Sequence, residues 1–437
     1  MTDSPAATVA KPLGFWACWA LTVGTMIGSG IFSLPALLAP HGLLSFGGWV
    51  LSAIGSICLA LALGRLAGRT TRSGGPFVYG RDTFGDLTGF LTGWGHWASF
   101  WIAIPAVAVA FVGYVPVFFP ALADDKLAQG LVALALIWLV TLVNIRGLRE
   151  AGATQLVMTL LKIVPILFVI GLGFFTGSTA NLPALNPSDA PVLPTLAACV
   201  MLTTWAFSGL EAGCMAAGQV KDPERTIPRA VVFGTVTVAV IYIVATAAIM
   251  LLLPPETLAK STSPFADAAV GLGAWGPPLV AAGALMATAG ALNGVIFVAG
   301  QIPMAVAVDG LAPRAFAQMN KGGSPAFALI VSAVLGSLLL AANYTRGLIG
   351  AFTFLLTMSI LAQLVPMLVS SAAEFWRSRK ASAGWATVAL AAGIYTLVAL
   401  FGSGWEAIVW GVVLILAGLP LYYFGRARAA RIAVSAG

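Results

Sequence analysis

Apolar segments long enough to cross a lipid bilayer recur along almost the whole chain. A transmembrane helix needs about 20 mainly apolar residues. We identify about twelve such segments, at 13–38, 45–66, 86–118, 127–145, 152–176, 193–217, 228–253, 264–308, 325–342, 347–374, 384–401 and 404–425. Only 8% of the residues are charged, against roughly 25% in soluble proteins. Because lipid cannot bond backbone polar groups, the sequence predicts an all-α membrane protein with about 12 transmembrane helices, forming a single domain over residues 1–437.

The lysines and arginines predict the orientation of these helices, because cytoplasmic loops are enriched in both residues. With both termini in the cytoplasm, eighteen of the 22 lie on the inside, and Lys162 lies within an apolar segment. The three in outside loops are Lys126, Lys260 and Arg346. We therefore predict cytoplasmic N and C termini. The net charge of +7 is explained by topology rather than by a nucleic-acid-binding patch, so no nucleic-acid partner is expected.

Small residues interrupt the first and the sixth apolar segments, at Gly28-Ser29-Gly30 and at Ser208-Gly209. Such a break frees backbone groups and is stable in a membrane only where it lines a cavity. We expect segments one to five (13–176) to superimpose on segments six to ten (193–374). Because five is an odd number of crossings, the second half enters the membrane in the opposite direction. The sequence therefore predicts a 5+5 inverted repeat with discontinuous helices 1 and 6, followed by two extra helices at 384–425.

The two breaks are predicted to present opposite partial charges. Freed amides at Ser29 and Gly30 lie at a helix N-terminus, which favours a carboxylate. Freed carbonyls at Ser208-Gly209 suit an ammonium group. This pair matches the backbone charges of an amino acid, although close packing through small residues is the alternative at each break. Trp205 lies one turn before the second break and either closes over the substrate or packs in the helix bundle.

Two ionisable residues lie deep in apolar segments. Glu211 follows the second break, and a carboxylate within the membrane is costly enough to mark a functional site. We predict that it carries protons, or that it is a permanently hydrogen-bonded structural carboxylate. The Lys162 ammonium is expected to lie beside the carbonyls of the first break, where a sodium-coupled carrier of this architecture would hold its ion. This position predicts that transport is independent of sodium, and Lys162 could also load and release a proton. The alternative is that the Lys162 side chain snorkels to the membrane interface.

The other polar candidates carry weaker signals. His96 can titrate near neutral pH, but a hydrogen bond between helices is the simpler interpretation. The cysteines lie within apolar segments without a CxxC spacing, so we expect no disulfide, no metal site and no cofactor; they are Cys18, Cys58, Cys199 and Cys214. A phosphate-binding loop and a Ser-His-Asp set are both absent from the sequence, which predicts that the protein is not an enzyme.

Several motifs resemble those of the amino acid, polyamine and organocation (APC) transporter superfamily. They are Gly28-Ser29-Gly30-Ile31-Phe32-Ser33-Leu34-Pro35-Ala36, Ser73-Gly74-Gly75, the segment 205–211, Val220-Lys221-Asp222-Pro223, Ser263-Pro264-Phe265, and Ala299-Gly300-Gln301 with Asp309-Gly310-Leu311. Within this superfamily the chain is most similar to the basic amino acid and polyamine antiporters. The resemblance implies a LeuT-like fold, alternating access around helices 1 and 6, and location in the inner membrane of a bacterium.

Matched position by position, the resemblance also implies functional residues. It gives Glu211 a proton-sensitive role and assigns substrate contacts to Thr25, Ile27, Ser29, Gly30, Trp205, Ser208, Phe352 and Ser359. The breaks add Gly28 and Gly209 as candidate substrate-binding residues, and two departures from the family pattern add His96 and Val295. Lys162, the second candidate for proton coupling, resembles the lysine of sodium-independent carriers.

Three departures from the family pattern affect which substrate the pocket is expected to bind. Val295 stands where the arginine-transporting relatives have a tryptophan, Ile104 where they have an asparagine, and His96 where they have a tyrosine. A pocket without those groups favours a neutral, apolar amino acid. The main prediction is therefore a sodium-independent secondary transporter of neutral amino acids, either proton-coupled or an exchanger.

Three alternatives remain open at this stage. The first is an antiporter of a basic amino acid and an amine, of the arginine/agmatine or polyamine type. The second, more remote, is an amino acid sensor that does not transport, and the third is a structural partner subunit. The expected partners in every case are a small-molecule substrate and the lipid bilayer, with protons and a second copy of the chain as further candidates.

Overall fold

The computed structural model describes residues 14–70, 74–146, 152–210, 220 and 222–423. These residues fold into α-helices joined by short loops and single 3-10 turns. The helices are α1 (Phe15–Met26), α2 (Ser29–Leu38), α3 (Leu44–Ala67), α4 (Pro76–Phe84), α5 (Asp86–Val112), α6 (Lys126–Ile145), α7 (Gly152–Thr176), α8 (Val192–Ala206), α9 (Pro223–Leu252), α10 (Pro255–Lys260), α11 (Pro264–Ala268), α12 (Gly276–Val308), α13 (Ala326–Asn343), α14 (Gly347–Ser378), α15 (Ala383–Gly402) and α16 (Trp405–Leu416).

The lengths and hydropathies of these helices confirm the predicted all-α membrane fold. Within the described residues, nine helices are long and apolar enough to cross a bilayer singly, and α1 with α2 forms a tenth, broken span. Apolar parts of α7 and of α8 fall short of that length in the described residues. Together these account for the predicted number of about twelve. The boundaries of the two repeats and the cytoplasmic location of the termini stay predictions.

The first apolar span is discontinuous, as the small residues predict. Helix α1 ends at Met26, and Ile27 adopts an extended conformation with φ −75° and ψ 98°. The axes of α1 and α2 differ in direction by 43°. A Cβ atom on Gly28 would lie only 2.5 Å from the Cβ of Ala291 on α12. Glycine is therefore required where α12 packs directly against the break.

In the sixth apolar segment, helix α8 ends at the predicted position. The helix ends at Ala206 and continues into a turn, in which Gly209 has a φ of +99°. This left-handed conformation strains any residue with a side chain and favours glycine. Residues 211–219 lie outside the described part, so the predicted second half-helix and the role of Glu211 stay predictions.

Two ionic clusters tie helices together at the end of the bundle that is predicted to be cytoplasmic. Glu374 on α14 is fully buried and pairs with Arg65 Nε at 3.4 Å and Arg69 NH1 at 3.2 Å. The Arg65 guanidinium also lies over the Trp385 ring of α15, at 4.4 Å from its centroid. In the second cluster Arg81 of α4 pairs with Asp86 of α5 and Asp309 beyond α12, at 2.8 and 2.7 Å.

Candidate functional site

The two helix breaks are in direct contact. The Thr25 hydroxyl, in the last turn of α1, donates to the Gly209 carbonyl oxygen at 3.0 Å, and it also lies within 3 Å of two carbonyls of its own helix. A Cβ atom on Gly209 would lie 3.1 Å from the Thr25 Cβ. The predicted juxtaposition of the breaks is therefore present in the structure, with backbone carbonyls and amides of two spans in one place.

Two aromatic side chains lie beside the start of α2. The Trp205 indole Nε1 donates to the Ser29 hydroxyl oxygen at 3.2 Å. Its ring meets the Phe352 ring of α14 edge to face, with centroids 6.2 Å apart. A Cβ atom on Gly30 would lie 3.0 Å from the Ala206 Cα, so Gly30 allows α2 and α8 to approach. Four of the predicted site residues, Ser29, Gly30, Trp205 and Phe352, thus form one cluster.

A small cleft opens beside Phe352. Its other lining residues belong to α2, to the end of α5, to the loop before α11 and to the first turn of α14; they are Ser33, Ala36, Leu37, Val109, Ala110, Gly113, Ser261, Thr262, Leu348 and Ile349. We call this end of the bundle the vestibule side. The rings of Phe352 and Trp205 lie next to the cleft and close to the two breaks.

Lys162 lies where the sequence predicts, beside the first break. Its side chain is 7% exposed, and its Nζ donates to the Gly24 carbonyl oxygen in the last turn of α1 at 3.1 Å. One turn earlier on α7, the Thr159 hydroxyl donates to the Ala20 carbonyl oxygen. A Cβ atom on Gly290 of α12 would lie 3.1 Å from both Nζ and Cε of Lys162. The ammonium therefore bonds to α1, as predicted. It does so in a space that Gly290 of α12 leaves open, and the sequence analysis missed this contact with Gly290.

Ser359 and His96 lie away from the aromatic pair, in the seam between α5 and α14. The Ser359 hydroxyl donates to the Ser99 carbonyl oxygen at 2.7 Å. The Ser99 hydroxyl lies 2.7 Å from the His96 carbonyl oxygen and 2.5 Å from Gln363 Oε1. The sequence analysis missed Ser99 and Gln363. The signal for the latter was its spacing of four residues from Ser359, which puts both on one face of α14.

The remaining predicted residues differ in their surroundings. Ile27 is fully buried, and the Ser208 hydroxyl lies 3.4 Å from the Thr204 carbonyl oxygen. Val295 is partly buried, next to Gly294, where a Cβ atom would meet nothing within 4 Å. Ile104 is fully buried and lies against Gly336 of α13. Glu211 lies outside the described residues, so its role stays a prediction.

Comparisons with known proteins agree with these features. A sequence model of the amino acid permease family matches residues 13–419. The cadaverine/lysine antiporter of Escherichia coli is 33% identical over 330 residues, which cover 74% of this chain and 73% of that protein. The putrescine transporter PotE of the same organism is 30% identical over 412 residues, which cover 92% and 93%. Its counterpart of that name in Haemophilus influenzae is 31% identical over 419 residues, covering 92% and 94%.

Proposed function

Because this chain belongs to the amino acid permease family of membrane transporters, we propose that it exchanges a basic amino acid for a linear aliphatic amine across the inner membrane of a bacterium. Like its relatives, it is a transporter and not an enzyme. The comparisons favour this alternative over neutral amino acids, the main prediction from the sequence, because the relatives are named for cadaverine, lysine and putrescine. Exchange rather than uniport is supported by the name of the first of these relatives.

The contact between the two breaks is the observation that carries this proposal. Thr25 and Gly209 hold the breaks together, so carbonyl oxygens at the end of α8 lie near the amides at the start of α2. Carbonyl oxygens attract an ammonium ion, and amides at a helix N-terminus attract a carboxylate. A basic amino acid offers both of these groups and an amine offers the first. Both exchange partners therefore bind through the same ammonium position.

The departures Val295 and Ile104 are compatible with such substrates. A guanidinium group is planar and needs several acceptors in a fixed arrangement. A primary amine on a methylene chain needs an apolar wall for the chain and acceptors only at its ends. Trp205 and Phe352 offer that wall, and the indole face adds a cation–π attraction for an ammonium ion. The two departures therefore weigh against arginine and its amine rather than against lysine-like substrates.

Lys162 supports sodium independence. Its ammonium bonds to the Gly24 carbonyl oxygen and lies against α12 at Gly290. A cation at this position holds α1 to α7, which is the structural task of a bound ion in a sodium-coupled carrier of this architecture. We therefore propose that no sodium ion is needed for exchange, while proton coupling through Glu211 or Lys162 is a separate proposal.

Exchange of neutral amino acids is the second candidate. The observation in its favour is the apolar character of Val295 and Ile104, together with the apolar rings of Trp205 and Phe352. A neutral substrate would use both breaks through its backbone charges and would need no further acceptor.

Counterflow in liposomes tests the two candidates against each other. The purified protein is reconstituted into liposomes in sodium-free buffer. The liposomes are loaded with unlabelled cadaverine, putrescine, lysine or leucine and assayed for uptake of labelled lysine and, separately, of labelled leucine. We expect internal cadaverine, putrescine or lysine to stimulate uptake, and leucine to leave it at the level of empty liposomes. Because lysine and cadaverine differ by one charge, an imposed membrane potential should change the rate of their exchange. Stimulation of labelled leucine uptake by leucine alone would overturn the proposal in favour of the second candidate.

A further inference from the structure

Helix α15 extends one side chain, Tyr395, to the end of α8. The helix follows the two predicted repeats in sequence, but it packs against both α3 and α8. The Tyr395 side chain is 6% exposed and fills a space that Gly55 of α3 leaves open, because a Cβ atom at position 55 would clash with the ring. A Cβ atom on Gly402 of α15 would likewise clash with the Ala197 carbonyl of α8. The three helices therefore approach one another as closely as glycine allows.

The Tyr395 hydroxyl belongs to a chain of hydrogen bonds with a fixed direction. The Ser56 hydroxyl of α3 donates to Tyr395 Oη at 3.2 Å, and Tyr395 Oη donates to Thr204 Oγ1 of α8 at 2.9 Å. The Thr204 hydroxyl donates in turn to the Val200 carbonyl oxygen at 2.7 Å. A carbonyl oxygen only accepts and each hydroxyl has one proton, so the carbonyl at the end of the chain sets every donor before it. Tyr395 therefore spends its proton on α8 and not on α3.

This chain is buried along its whole length. Ser56 and Thr204 are 1% and 0% exposed, and a buried hydroxyl that loses its partner lowers stability because it has given up its bonds to water. One residue before Thr204, the Thr203 hydroxyl lies 2.7 Å from the Ser52 hydroxyl of α3. The last turn of α8 is thus held by side chains of two other helices.

Thr204 lies at the point where α8 ends and the second break begins. Its carbonyl oxygen accepts from the Phe207 amide, three residues further on, at 3.1 Å, which is the tighter bonding pattern of a 3-10 turn. The next residue, Trp205, bonds to Ser29 and packs against Phe352. Neighbouring residues of an α-helix point about 100° apart, so Thr204 faces α15 while Trp205 faces α2 and α14. The same helical turn therefore connects Tyr395 to the candidate site.

We propose that Tyr395 is a positioning residue of the binding site, because its hydroxyl fixes the last turn of α8 and with it the Trp205 ring and the carbonyls at the second break. The inference rests on the proposed transport function, in which those groups contact the substrate. It does not depend on the choice between basic and neutral substrates, since both bind at the breaks. Helix α15 is then part of the support of the site, and not only of the outer wall of the bundle.

The test separates ligand affinity from stability. The dissociation constant of lysine is measured by calorimetry on the purified full-length protein in lipid nanodiscs, and stability is measured by thermal unfolding without ligand. Tyr395→Phe removes the hydroxyl and keeps the ring beside Gly55. Thr204→Val removes the acceptor at nearly constant volume, and the double variant removes both ends of the same bond. Thr396→Val is the matched control, because Thr396 is 1% exposed on the same helix and its hydroxyl donates within α15, to the Ala392 carbonyl oxygen at 2.8 Å.

We expect Tyr395→Phe and Thr204→Val each to weaken lysine binding about fivefold, the effect of losing one neutral hydrogen bond. The double variant should bind no more weakly than either single variant, because both changes remove the same bond. Thr396→Val should leave the dissociation constant unchanged. If Tyr395→Phe lowers the unfolding temperature and leaves the dissociation constant unchanged, Tyr395 only packs the helices and the inference is wrong. Losses of affinity that multiply in the double variant would overturn it as well.

Failure of the inference and failure of the proposed function give different results. If the unaltered protein binds lysine and Tyr395→Phe binds it equally well, the inference is wrong and the proposed function stands. If the unaltered protein binds leucine but not lysine, the proposed substrate is wrong, and the same variants compared with leucine decide the inference. If it binds neither ligand, both are wrong. If Tyr395→Phe does not fold, Thr204→Val decides, because it leaves the Tyr395 ring in place.

Discussion

At the scale of single residues, the space beside Gly290 on α12 is filled by the ammonium end of Lys162. A Cβ atom at position 290 would lie 3.1 Å from Nζ and from Cε, which is closer than a comfortable contact. The ammonium would have to move by a few tenths of an ångström and would weaken its 3.1 Å bond to the Gly24 carbonyl oxygen. A hydrogen bond from a charged donor contributes about 1.5–3 kcal/mol, so this movement affects both stability and exchange.

We therefore expect Gly290→Ala to destabilise the protein by about 1–2 kcal/mol and to slow exchange several-fold, measured by thermal unfolding in detergent and by counterflow. Gly294→Ala is the control for stability, because it lies one turn further along α12 and its Cβ atom would meet nothing within 4 Å. At position 294, alanine should raise the free energy of unfolding by about 0.5–1 kcal/mol, because it has a higher helix propensity than glycine. Equal changes in stability for the two variants, or the same effect of Gly290→Ala in a Lys162→Ala background, would contradict this explanation.

The sequence predicted the position of Lys162 but not its neighbour. A lysine in an apolar segment signals a buried partner by itself, because the cost of an unpaired charge in the membrane is high. Gly290 carries no such signal, and Gln363 carries only its spacing of four residues from Ser359. The contacts of both depend on residues far away in the chain. Ser359 shows the same limit, because the sequence analysis named it as a substrate contact, which stays a prediction, and did not foresee its hydrogen bond to the Ser99 carbonyl oxygen.

At the scale of elements, the broken span α1–α2 is held against α12 by a pair of small residues. Gly28 and Ala291 are so close that a Cβ atom on Gly28 would lie 2.5 Å from the Ala291 Cβ. Neither is the flexible end of a long side chain, so the break or α12 would have to move as a whole. Overpacking of this kind lowers the free energy of unfolding by about 1–3 kcal/mol.

We expect Gly28→Ala to lower stability by about 1–3 kcal/mol and to abolish most of the exchange, because the carbonyls and amides of the break would shift. The double variant Gly28→Ala with Ala291→Gly removes the clash and should recover a large part of both. Thermal unfolding and counterflow on the two single variants and the double variant measure this coupling. Additive losses in the double variant would show that the two positions do not act on each other.

The elements themselves were more predictable than their contacts. The apolar segments predicted the membrane helices, and the small residues predicted the break at Gly28, because lipid imposes hydrogen-bonding rules that are visible in the sequence. The packing of α5 against α14 is not visible in the same way, since both helices are apolar around most of their circumference. The seam that contains Ser99 and Gln363 therefore became apparent only in the structure.

At the scale of the whole molecule, Glu374 joins three helices at the end opposite the vestibule side. Its carboxylate is fully buried between Arg65 and Arg69, and the Ser378 hydroxyl donates to it at 2.5 Å. The stacking of Arg65 on Trp385 extends the contact to α15. Opening of the bundle at this end by a movement of α3 away from α14 would have to separate these charges.

We expect Glu374→Ala to destabilise the protein by about 3 kcal/mol, because removal of one partner leaves buried charge uncompensated. The same variant should make this end of the bundle open more readily, so that cysteines introduced near it react faster with a membrane-impermeant thiol reagent. Glu406→Gln, a change at an exposed carboxylate on α16, should cost less than about 1 kcal/mol. Unchanged stability and thiol reactivity in Glu374→Ala would exclude this closing role.

The bond between Lys162 and Gly24 has a consequence for the driving force of transport. A cation that is covalently part of the chain has no dissociation constant and cannot be diluted or replaced by other ions in the medium. Under the proposed sodium independence, the cycle therefore does without the work that a bound ion would perform as it moved down its own gradient. Under the proposed function, the concentration ratios of the exchanged molecules and the membrane voltage supply the energy, and a proton gradient adds to them under the separate proposal of proton coupling. The same protein therefore runs inward or outward as these gradients change.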